Sequence, residues 1–307
     1  MMNPLLPQPV GRFAPSPSGP LHFGSVVAAV GSYLSARAAG GRWLLRIEDV
    51  DAPRSVPDAA EGIIHTLARL GFEWDGPIVW QHARLDAYAE ALQLLRDRGW
   101  VYGCACTRKM LADAPRAADG SARYPGTCRA GLAPGLAARA WRFRVSSGVV
   151  HFVDAVQGPV AEDVLADVGD FVLLRADGLF AYQLAVVLDD AAAGVTEVVR
   201  GIDLLPSTAR QIALQQALEL PTPAYAHLPV VVDAAGQKLS KQSLARAVDE
   251  LPDEQVLFDA LVCLGQAPPA DLRGDPLAQI WAWAQAHWSL DAVPRSVAVP
   301  ARRDYDR

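Results

Sequence analysis

The sequence lacks the features that mark secreted and membrane proteins. Its first nine residues, MMNPLLPQP, contain no basic residue and no apolar run of signal-peptide length, and no later segment approaches a membrane span. Only four cysteines occur in 307 residues, and nothing around them suggests an oxidising compartment. The chain also has no internal repeat and no low-complexity tract. These absences predict a cytoplasmic globular protein with no membrane partner.

An excess of positive charge is also missing. The net charge is −6, which by itself does not suggest a nucleic-acid partner. With 51% apolar and 20% charged residues, the chain can bury a large core as one large or two modest domains. Residues 101–150 are the exception, because they contain eight basic residues and only two acidic ones, Asp113 and Asp119. The basic residues are Arg108, Lys109, Arg116, Arg123, Arg129, Arg139, Arg142 and Arg144. A polyanion partner and a solvated arginine-rich face both explain this excess.

The segment 11–25, GRFAPSPSGPLHFGS, is the first candidate functional site. Its pattern predicts a strand over Val10–Phe13, a proline-rich crossing, and a helix that Ser25 caps. Free amides and the helix dipole at such a helix start attract phosphate, and His22 can add a hydrogen bond to a phosphate oxygen. An ordinary connection with a buried histidine is the alternative. The segment is therefore a nucleotide-site candidate.

The run 238–242, KLSKQ, is the second candidate. It places Lys238, Ser240 and Lys241 directly after the glycine-containing turn DAAGQ. Two ammonium groups beside a polyphosphate would neutralise the charge that grows as its α-phosphorus is attacked. Taken alone, such a run is more typical of a solvated surface turn. The two segments in this order are far more specific than either one.

Together these segments resemble two signatures of the class I aminoacyl-tRNA synthetases, specifically the glutamate-type branch. RFAPSPSGPLHFGS resembles the HIGH signature, with Phe23 and Ser25 as departures, and KLSKQ resembles the KMSKS loop, with Leu239 and Gln242 as departures. The resemblance implies that ATP, with Mg²⁺, is a substrate and that His22 and Lys241 are catalytic. The implied ATP-binding residues are His22, Gly24, Lys238 and Lys241.

The strand-like segment RWLLRIEDVD ends in three acids, Glu48, Asp49 and Asp51. A strand, a helix and a second strand in this order form a right-handed parallel unit that binds ligands beyond the carboxyl ends of its strands. The acids are therefore expected on the same edge as Arg12 and His22. Position alone leaves open whether an acid here caps a helix or binds an ammonium group.

The same resemblance assigns an amino-acid site. RIEDVD resembles the family block RIEDTD, whose glutamate contacts the substrate amino group, while AYQLAVVLDD and VVRGIDLL resemble blocks whose tyrosine and arginine hold the substrate. An arginine that grips the side-chain carboxylate implies glutamate rather than glutamine as the substrate. From position alone, Tyr182 would be a half-buried aromatic and Arg200 a surface ion-pair partner. The implied glutamate-binding residues are Arg12, Ala14, Ser16, Glu48, Tyr182 and Arg200.

Three cysteines, Cys104, Cys106 and Cys128, lie close together in the sequence and favour a metal site over a disulfide. Structural zinc takes four ligands, so one position is left open. Nearby candidates for it are Tyr124, Asp113, Asp119 and a water. YGCACTR followed by YPGTCR resembles the zinc knuckle of the short glutamate-type paralogues, which implies Tyr124 as the fourth ligand. Cys263 stands alone in an apolar run and is predicted to be a core residue.

The predicted fold class is α/β: a Rossmann-like parallel sheet of the class I synthetase type with an inserted zinc-knuckle subdomain and a short helical C-terminal segment. Further helices are predicted over 57–70, 85–98 and 206–218, and strands over 171–175, 196–200 and 227–232. The expected divisions are the first half of the nucleotide-binding domain at 8–100, the inserted subdomain at 101–150, the second half with the KLSKQ loop at 151–250, and the helical segment at 251–307.

The resemblance covers roughly residues 8–250, and only 66 residues follow Lys241, too few for a large anticodon-binding region. The short paralogues, which it fits best, activate glutamate with ATP and transfer it to the cyclopentenediol of queuosine in the tRNA(Asp) anticodon. The implied partners are L-glutamate, ATP and a queuosine-containing tRNA(Asp) anticodon stem-loop, used by a monomer with one structural zinc. Three alternatives remain: a minimal glutamyl-tRNA synthetase, a non-catalytic zinc-knuckle RNA-binding module, and a nucleotidyltransferase unrelated to tRNA.

Overall fold

The computed structural model describes residues 8–239, 248–301 and 305. Its α-helices are α1 (Phe23–Ala38), α2 (Ala59–Arg69), α3 (Leu85–Asp97), α4 (Val164–Asp167), α5 (Tyr182–Ala192), α6 (Leu205–Leu218), α7 (Asp253–Cys263) and α8 (Leu277–His287). Its strands are β1 (Val10–Phe13), β2 (Arg42–Ile47), β3 (Val79–Trp80), β4 (Val101–Cys104), β5 (Ala140–Phe143), β6 (Val150–Asp154), β7 (Gly158–Glu162), β8 (Val172–Leu174), β9 (Glu197–Gly201), β10 (Ala224–Leu228), β11 (Val230–Val232) and β12 (Ala298–Pro300).

The central layer is a parallel sheet. Strands β1, β2 and β3 pair in that order, while β9, β10 and β6 form a second parallel set to which β7 adds an antiparallel edge. The two sets meet where the backbone N–H of Thr196 donates to the carbonyl of Val10 at 2.9 Å. The strand order changes direction between β1 and β9. Ligands of open α/β sheets bind beyond the carboxyl ends of the strands at such a point.

Helix α1 is the structural centre of this half of the protein. Apolar residues recur along it at helical spacing, and it packs against β1, β2 and β9 on one side and α7 and α8 on the other. It ends before Gly40, whose φ of 67° is in the left-handed region that glycine adopts without strain. Because α1 is buried on most of its surface, its N-terminus is held firmly at the ligand-binding edge.

An aromatic cluster joins the C-terminal helices to the sheet. The ring of Trp281 in α8 lies 4.9 Å from that of Tyr33 and 5.1 Å from that of Phe72, and Trp43 of β2 stacks on Phe72 at 5.4 Å. Each such pair contributes about 0.5–1.5 kcal/mol beyond its buried area. Cys263 is buried in the same core, as the sequence predicts. Strand β12 adds to this region by pairing with β11.

A separate antiparallel sheet, in the order β4-β5-β8, carries the cysteine segment. Two of its strands come from within residues 101–150, and β8 comes from beyond them. Across the described ranges, no helix combines the length and the apolar character that a bilayer span requires.

The prediction of one strand over 227–232 is wrong. Strand β10 ends at Leu228 and pairs with β9, whereas β11 begins at Val230 and pairs with β12. Pro229 separates them, and a proline has no backbone N–H to donate to a sheet ladder. The break redirects the chain from the central sheet toward residues 238–239.

Candidate active site

His22 occupies the position before the first turn of α1. Its backbone is extended (φ −97°, ψ 164°), and its Nδ1 accepts the N–H of Ser25 at 3.2 Å. Its Nε2 lies 3.0 Å from Ser25 Oγ. The prediction that Ser25 caps the helix is therefore wrong, because the histidine side chain takes that role. No acidic residue lies in the first turn, so none competes there with an anionic ligand.

The structure brings the start of the lysine run to the histidine segment. A Cβ built on Gly24 would lie 3.2 Å from His22 Nδ1 and 3.4 Å from the carbonyl oxygen of Leu239. Immediately after the undescribed residues, Val248 donates its N–H to the carbonyl of Leu21 at 3.4 Å. The two nucleotide-site candidates, far apart in the sequence, therefore share one edge of the fold.

Of the lysine run, Lys238 and Leu239 are described. The Nζ of Lys238 pairs with a carboxylate oxygen of Asp203 at 2.7 Å, and both side chains are largely exposed. Leu239 is buried in the core. Ser240, Lys241 and Gln242 lie outside the described residues. The predicted roles of Lys238 and Lys241 in ATP binding stay predictions.

A buried charge network holds Arg12 and Glu48 beside each other. Asp190 of α5 accepts from Arg12 Nε at 3.2 Å and from Arg46 Nη1 at 2.6 Å, and Arg46 Nη2 donates to Glu48 Oε1 at 3.1 Å. Burial raises the pKa of Glu48, while Arg46 opposes the rise. Burial would also raise the pKa of Asp190, but Arg12 and Arg46 outweigh it and lower that pKa. Two cations and three acids therefore form one network at the edge of the sheet, because Asp189 also lies 3.8 Å from Arg46 Nε.

The segment that contains Ala14 and Ser16 crosses directly over this network. The backbone N–H of Glu48 donates to the carbonyl of Pro15 at 2.9 Å, which ties the turn after β1 to the end of β2. Ala14 is half-buried, and Ser16 is exposed. Their backbone can therefore line a ligand pocket between Arg12 and Glu48.

Arg200, near the end of β9, is 5% exposed, and its guanidinium forms hydrogen bonds with several neighbouring side chains. Its Nε donates to His227 Nε2 at 3.0 Å, its Nη2 to Thr208 Oγ1 at 2.8 Å, and its Nη1 lies 3.5 Å from Tyr182 Oη. Sequence position alone suggests a surface ion-pair partner. The structure instead places a buried cation here that donates to no carboxylate within residues 8–239, 248–301 and 305. A carboxylate ligand would fit such a guanidinium well.

Tyr182 links the two groups of charges. Burial raises the pKa of its phenol, Arg200 and Arg12 oppose the rise, and Glu48 adds to it. Arg200 is in reach of this hydroxyl at 3.5 Å, and the charges of Arg12 and Glu48 are near enough to affect its pKa. The structure thus brings Arg12, Glu48, Tyr182 and Arg200 to one edge of the sheet, with Glu48 in the buried charge network and Arg200 beside Tyr182. An α-amino acid with an acidic side chain has the matching charges.

The other two acids of the RIEDVD segment have structural partners. Asp49 accepts the backbone N–H of His82 at 2.9 Å and also pairs with the imidazole of that residue. Asp51 pairs with Arg54 at 2.6 Å and with Arg175 at 2.7 Å. Hydrogen bonding and ion pairing therefore account for these two acids, and Glu48 is the one that joins the buried charge network.

The three knuckle cysteines converge in space. Their sulfur atoms lie within 4.8 Å of one another, and the Cys106 and Cys128 sulfurs are 3.7 Å apart. Tetrahedral zinc with Zn–S bonds of about 2.3 Å places its sulfur ligands about 3.8 Å apart. Tyr124 Oη lies 3.4 Å from Cys104 Sγ and 3.7 Å from Cys106 Sγ. The four side chains therefore have the spacing of a structural metal site.

The surroundings favour an anionic Cys104 at this knuckle, whereas burial raises the pKa values of Cys106 and Tyr124. Arg142 donates to Cys104 Sγ at 3.3 Å, and its guanidinium lies 3.8 Å from the centre of the Tyr124 ring. Burial would raise the pKa of Cys104, but hydrogen bonds with Tyr124 and Arg142 lower it to about 7. Asp119, a second candidate for the fourth position, pairs with Arg210 at 2.6 Å instead.

Only some of the basic side chains of residues 101–150 are exposed to solvent. Arg142 is buried beneath the knuckle, Arg129 pairs with Asp170, and Arg144 lies over the ring of Tyr102. The exposed basic residues are Arg108, Lys109, Arg116, Arg123 and Arg139. A polyanion can therefore meet five of the eight charges that the sequence offers.

Sequence reasoning missed the residues that hold the pocket in shape. Asp190 and Arg46 lie in segments where the sequence predicts functional roles only for Tyr182 and Glu48. The sequence gives no indication that His227 and Asp154 form a pair. The signal for the first pair is the double acid at the end of YQLAVVLDD. The second pair leaves only an isolated histidine in an apolar strand, which is more often a core residue.

Known proteins with similar sequences span nearly the whole chain. A curated protein from Aromatoleum aromaticum, named glutamyl-Q tRNA(Asp) synthetase, is 62% identical over 301 residues, covering 98% of this chain and 95% of its own. A protein of the same name from Dechloromonas aromatica is 58% identical over 295 residues, covering 95% and 98%. This chain is thus similar to both over almost their full lengths.

Solved structures agree on the fold. A glutamate tRNA ligase from Elizabethkingia meningosepticum, crystallised in complex with its amino acid, superposes with a TM-score of 0.78 at 24% identity, over 97% of this chain and 68% of that one. The family model for tRNA synthetases class I (E and Q), catalytic domain, matches residues 10–264. The predicted synthetase-type α/β fold is confirmed, and the chain belongs to the class I tRNA synthetases of the glutamate and glutamine type.

Proposed function

We propose that this protein activates L-glutamate with ATP and transfers the glutamyl group to the cyclopentenediol of queuosine in the anticodon of tRNA(Asp). The observation that carries the amino-acid assignment is the buried Arg200, which lies 3.5 Å from Tyr182 at the sheet edge that also carries Glu48. The names of the near-full-length relatives support the acceptor. We further propose that the protein acts as a monomer in the cytoplasm.

The first step forms glutamyl-adenylate. The α-carboxylate oxygen of glutamate attacks the α-phosphorus of ATP, taken as its magnesium complex, and pyrophosphate leaves with the electrons of the broken P–O bond. A carboxylate is already nucleophilic, so the protein contributes mainly position and charge. Glu48 would hold the amino group, Arg200 the side-chain carboxylate, and the α1 N-terminus with His22 the phosphates.

The second step is acyl transfer. A hydroxyl oxygen of the diol attacks the adenylate carbonyl, a new ester C–O bond forms, AMP departs, and the hydroxyl proton passes to AMP or solvent. The acceptor must reach the same sheet edge, because the adenylate stays there. The exposed basic residues between Arg108 and Arg139 supply attraction for the RNA backbone.

We propose that the knuckle binds one structural zinc through Cys104, Cys106, Tyr124 and Cys128. The spacing of the sulfurs, the nearby phenol and the adjacent Arg142 fit a tetrahedral ion with three thiolates. In such a site the ion cross-links β4 to the 124–128 segment. It takes no part in the reaction at the glutamate pocket.

Elemental analysis should therefore find about one zinc per chain, the content of a closed structural site with four protein ligands. Chelation or Cys104→Ser should loosen the knuckle and weaken tRNA use more than pyrophosphate exchange, because these ligands lie outside the glutamate pocket. Cys263→Ser, at a cysteine buried in the separate α1–α7 core, is the matched control and should keep the zinc. Fully active protein without metal would contradict the proposed zinc site.

Transfer should require queuosine-containing tRNA(Asp). Radiolabelled glutamate should appear on that tRNA and on its isolated anticodon stem-loop, and periodate oxidation of the diol beforehand should abolish the transfer. tRNA(Asp) with guanosine at the same position is the matched control and should stay unlabelled. Efficient charging of the 3′ end of tRNA(Glu), with no label on queuosine-containing tRNA(Asp), would instead identify an ordinary glutamyl-tRNA synthetase.

A further inference from the structure

A fully buried histidine stands directly behind Arg200. His227 of β10 is 0% exposed, and its ring lies between the Arg200 guanidinium and the carboxylate of Asp154. Its Nε2 is 3.0 Å from Arg200 Nε, and its Nδ1 is 2.5 Å from Asp154 Oδ2. The three side chains form a linear chain of hydrogen bonds that ends at the glutamate pocket.

Chemistry fixes the proton positions in this chain. A guanidinium can only donate, so His227 Nε2 must accept from Arg200. The ring proton then sits on Nδ1 and is donated to Asp154. Burial lowers the pKa of His227, Asp154 opposes this, and the nearby charges of Arg200 and Arg12 lower it further, all in keeping with a neutral ring.

Asp154 is itself held in one orientation. Its Oδ1 accepts three backbone N–H groups, from Val156 at 3.0 Å, Gln157 at 2.9 Å and His227 at 3.1 Å. Burial would raise the pKa of Asp154, but its hydrogen bonds, led by that of the His227 side chain, lower it. Its Oδ2 therefore remains a fixed, ionised acceptor for the imidazole.

We infer that Asp154 and His227 are positioning residues that set the plane of Arg200 for the side-chain carboxylate of the substrate. His227 accepts a hydrogen bond from the Nε–H of Arg200, and Thr208 Oγ1 accepts one from Nη2. The Nη1 group points toward Tyr182, whose hydroxyl oxygen is 3.5 Å away, and so lies on the side of the proposed glutamate site. Neither residue contacts the substrate. Both affect recognition of the substrate carboxylate by fixing the orientation of Arg200. This inference rests on the proposed glutamate activation.

The variant Asp154→Asn tests the inference without changing shape. The three backbone donors keep the amide oxygen at the Oδ1 position, so the amide nitrogen faces His227 Nδ1. The imidazole must then accept on Nδ1 and carry its proton on Nε2, against the Nε–H of Arg200. In ATP–pyrophosphate exchange, the KM for glutamate should rise about tenfold or more, the KM for ATP should stay within about twofold, and the preference for glutamate over glutamine should fall.

Two comparisons separate positioning from a general loss of structure. Asp163→Asn makes the same chemical change at the cap of α4, where it should leave the KM for glutamate unchanged. His227→Gln can return an acceptor near the Nε2 position and should keep more glutamate affinity than His227→Asn, which cannot. Equal KM values for glutamate in the wild type, Asp154→Asn and both His227 variants would overturn the inference.

A spectroscopic readout is independent of activity. In protein with ¹⁵N-labelled histidine, NMR should detect a neutral His227 ring protonated on Nδ1 in the wild type and on Nε2 in Asp154→Asn. A wild-type ring protonated on Nε2, or on both nitrogens at neutral pH, would overturn the positioning role. A wild type with the expected tautomer but without glutamate-dependent exchange would refute the proposed function and not the hydrogen-bond chain.

Discussion

Arg200→Gln should lower kcat/KM for glutamate in ATP–pyrophosphate exchange by about two to four powers of ten, because leaving a desolvated carboxylate unpaired costs about 3–5 kcal/mol. The guanidinium is 5% exposed, so water cannot readily replace it. Glutamine and glutamate should then be used at more similar rates, because the charge that distinguishes them is gone. The wild type should exchange pyrophosphate with glutamate alone.

The control for this variant is a second buried arginine. Arg210 is also 5% exposed, and it pairs with Asp119 away from the glutamate pocket. Arg210→Gln tests the general cost of removing a buried guanidinium and should leave the KM for glutamate nearly unchanged. If Arg200→Gln keeps both its KM and its discrimination against glutamine, the assignment of the side-chain pocket is wrong.

The parts of the fold that the sequence predicts well are those with local signals. The apolar spacing of α1, the strand before it and the acids at the end of β2 each occupy a short window. A parallel unit places the carboxyl ends of β1 and β2 on one edge of the sheet, independently of the side chains there. The sequence therefore predicts that Arg12 and Glu48 lie on the same edge. The spacing of the knuckle cysteines is equally local.

The buried charge network could not be derived in this way. Arg12 and Asp190 are 178 residues apart, and no periodic pattern in either segment signals the other. The same holds for Asp154 and His227, which are 73 residues apart. A buried charge requires a partner, because an unpaired one is strongly destabilising. This rule does not predict which residue of the sequence the partner is. Only the packing of α5 and β10 beside β1 and β9 decides which charges meet.

Local signals also misled at two points. A serine after an apparent loop is a good N-cap, yet the extended backbone and accepting ring nitrogen of His22 fill that position one turn earlier. The apolar run HLPVVV reads as one strand, yet Pro229 divides it between two sheets. In each case one residue of the same segment, His22 in the first and Pro229 in the second, determined the outcome.

Lys241→Ala should lower the rate of glutamyl-adenylate formation by about two to three powers of ten and leave the affinity for glutamate nearly unchanged. By its resemblance to the KMSKS loop, this lysine neutralises charge that grows on the α-phosphate in the transition state, so its loss affects kcat rather than substrate binding. Although Lys241 lies outside the described residues, Leu239 and Val248 on either side of it lie against Gly24 and Leu21 at the nucleotide edge.

Single-turnover adenylate formation, followed with labelled ATP, measures this effect directly, and equilibrium binding of glutamate measures the ground state. Lys109→Ala removes an exposed lysine from the knuckle region and should leave adenylate formation unchanged, which makes it the matched control. Lys238→Ala should have a smaller effect than Lys241→Ala, because the Lys238 ammonium is paired with Asp203. A tenfold loss of glutamate affinity at an intact activation rate would mean that the KLSKQ run serves the amino-acid pocket and not the phosphates.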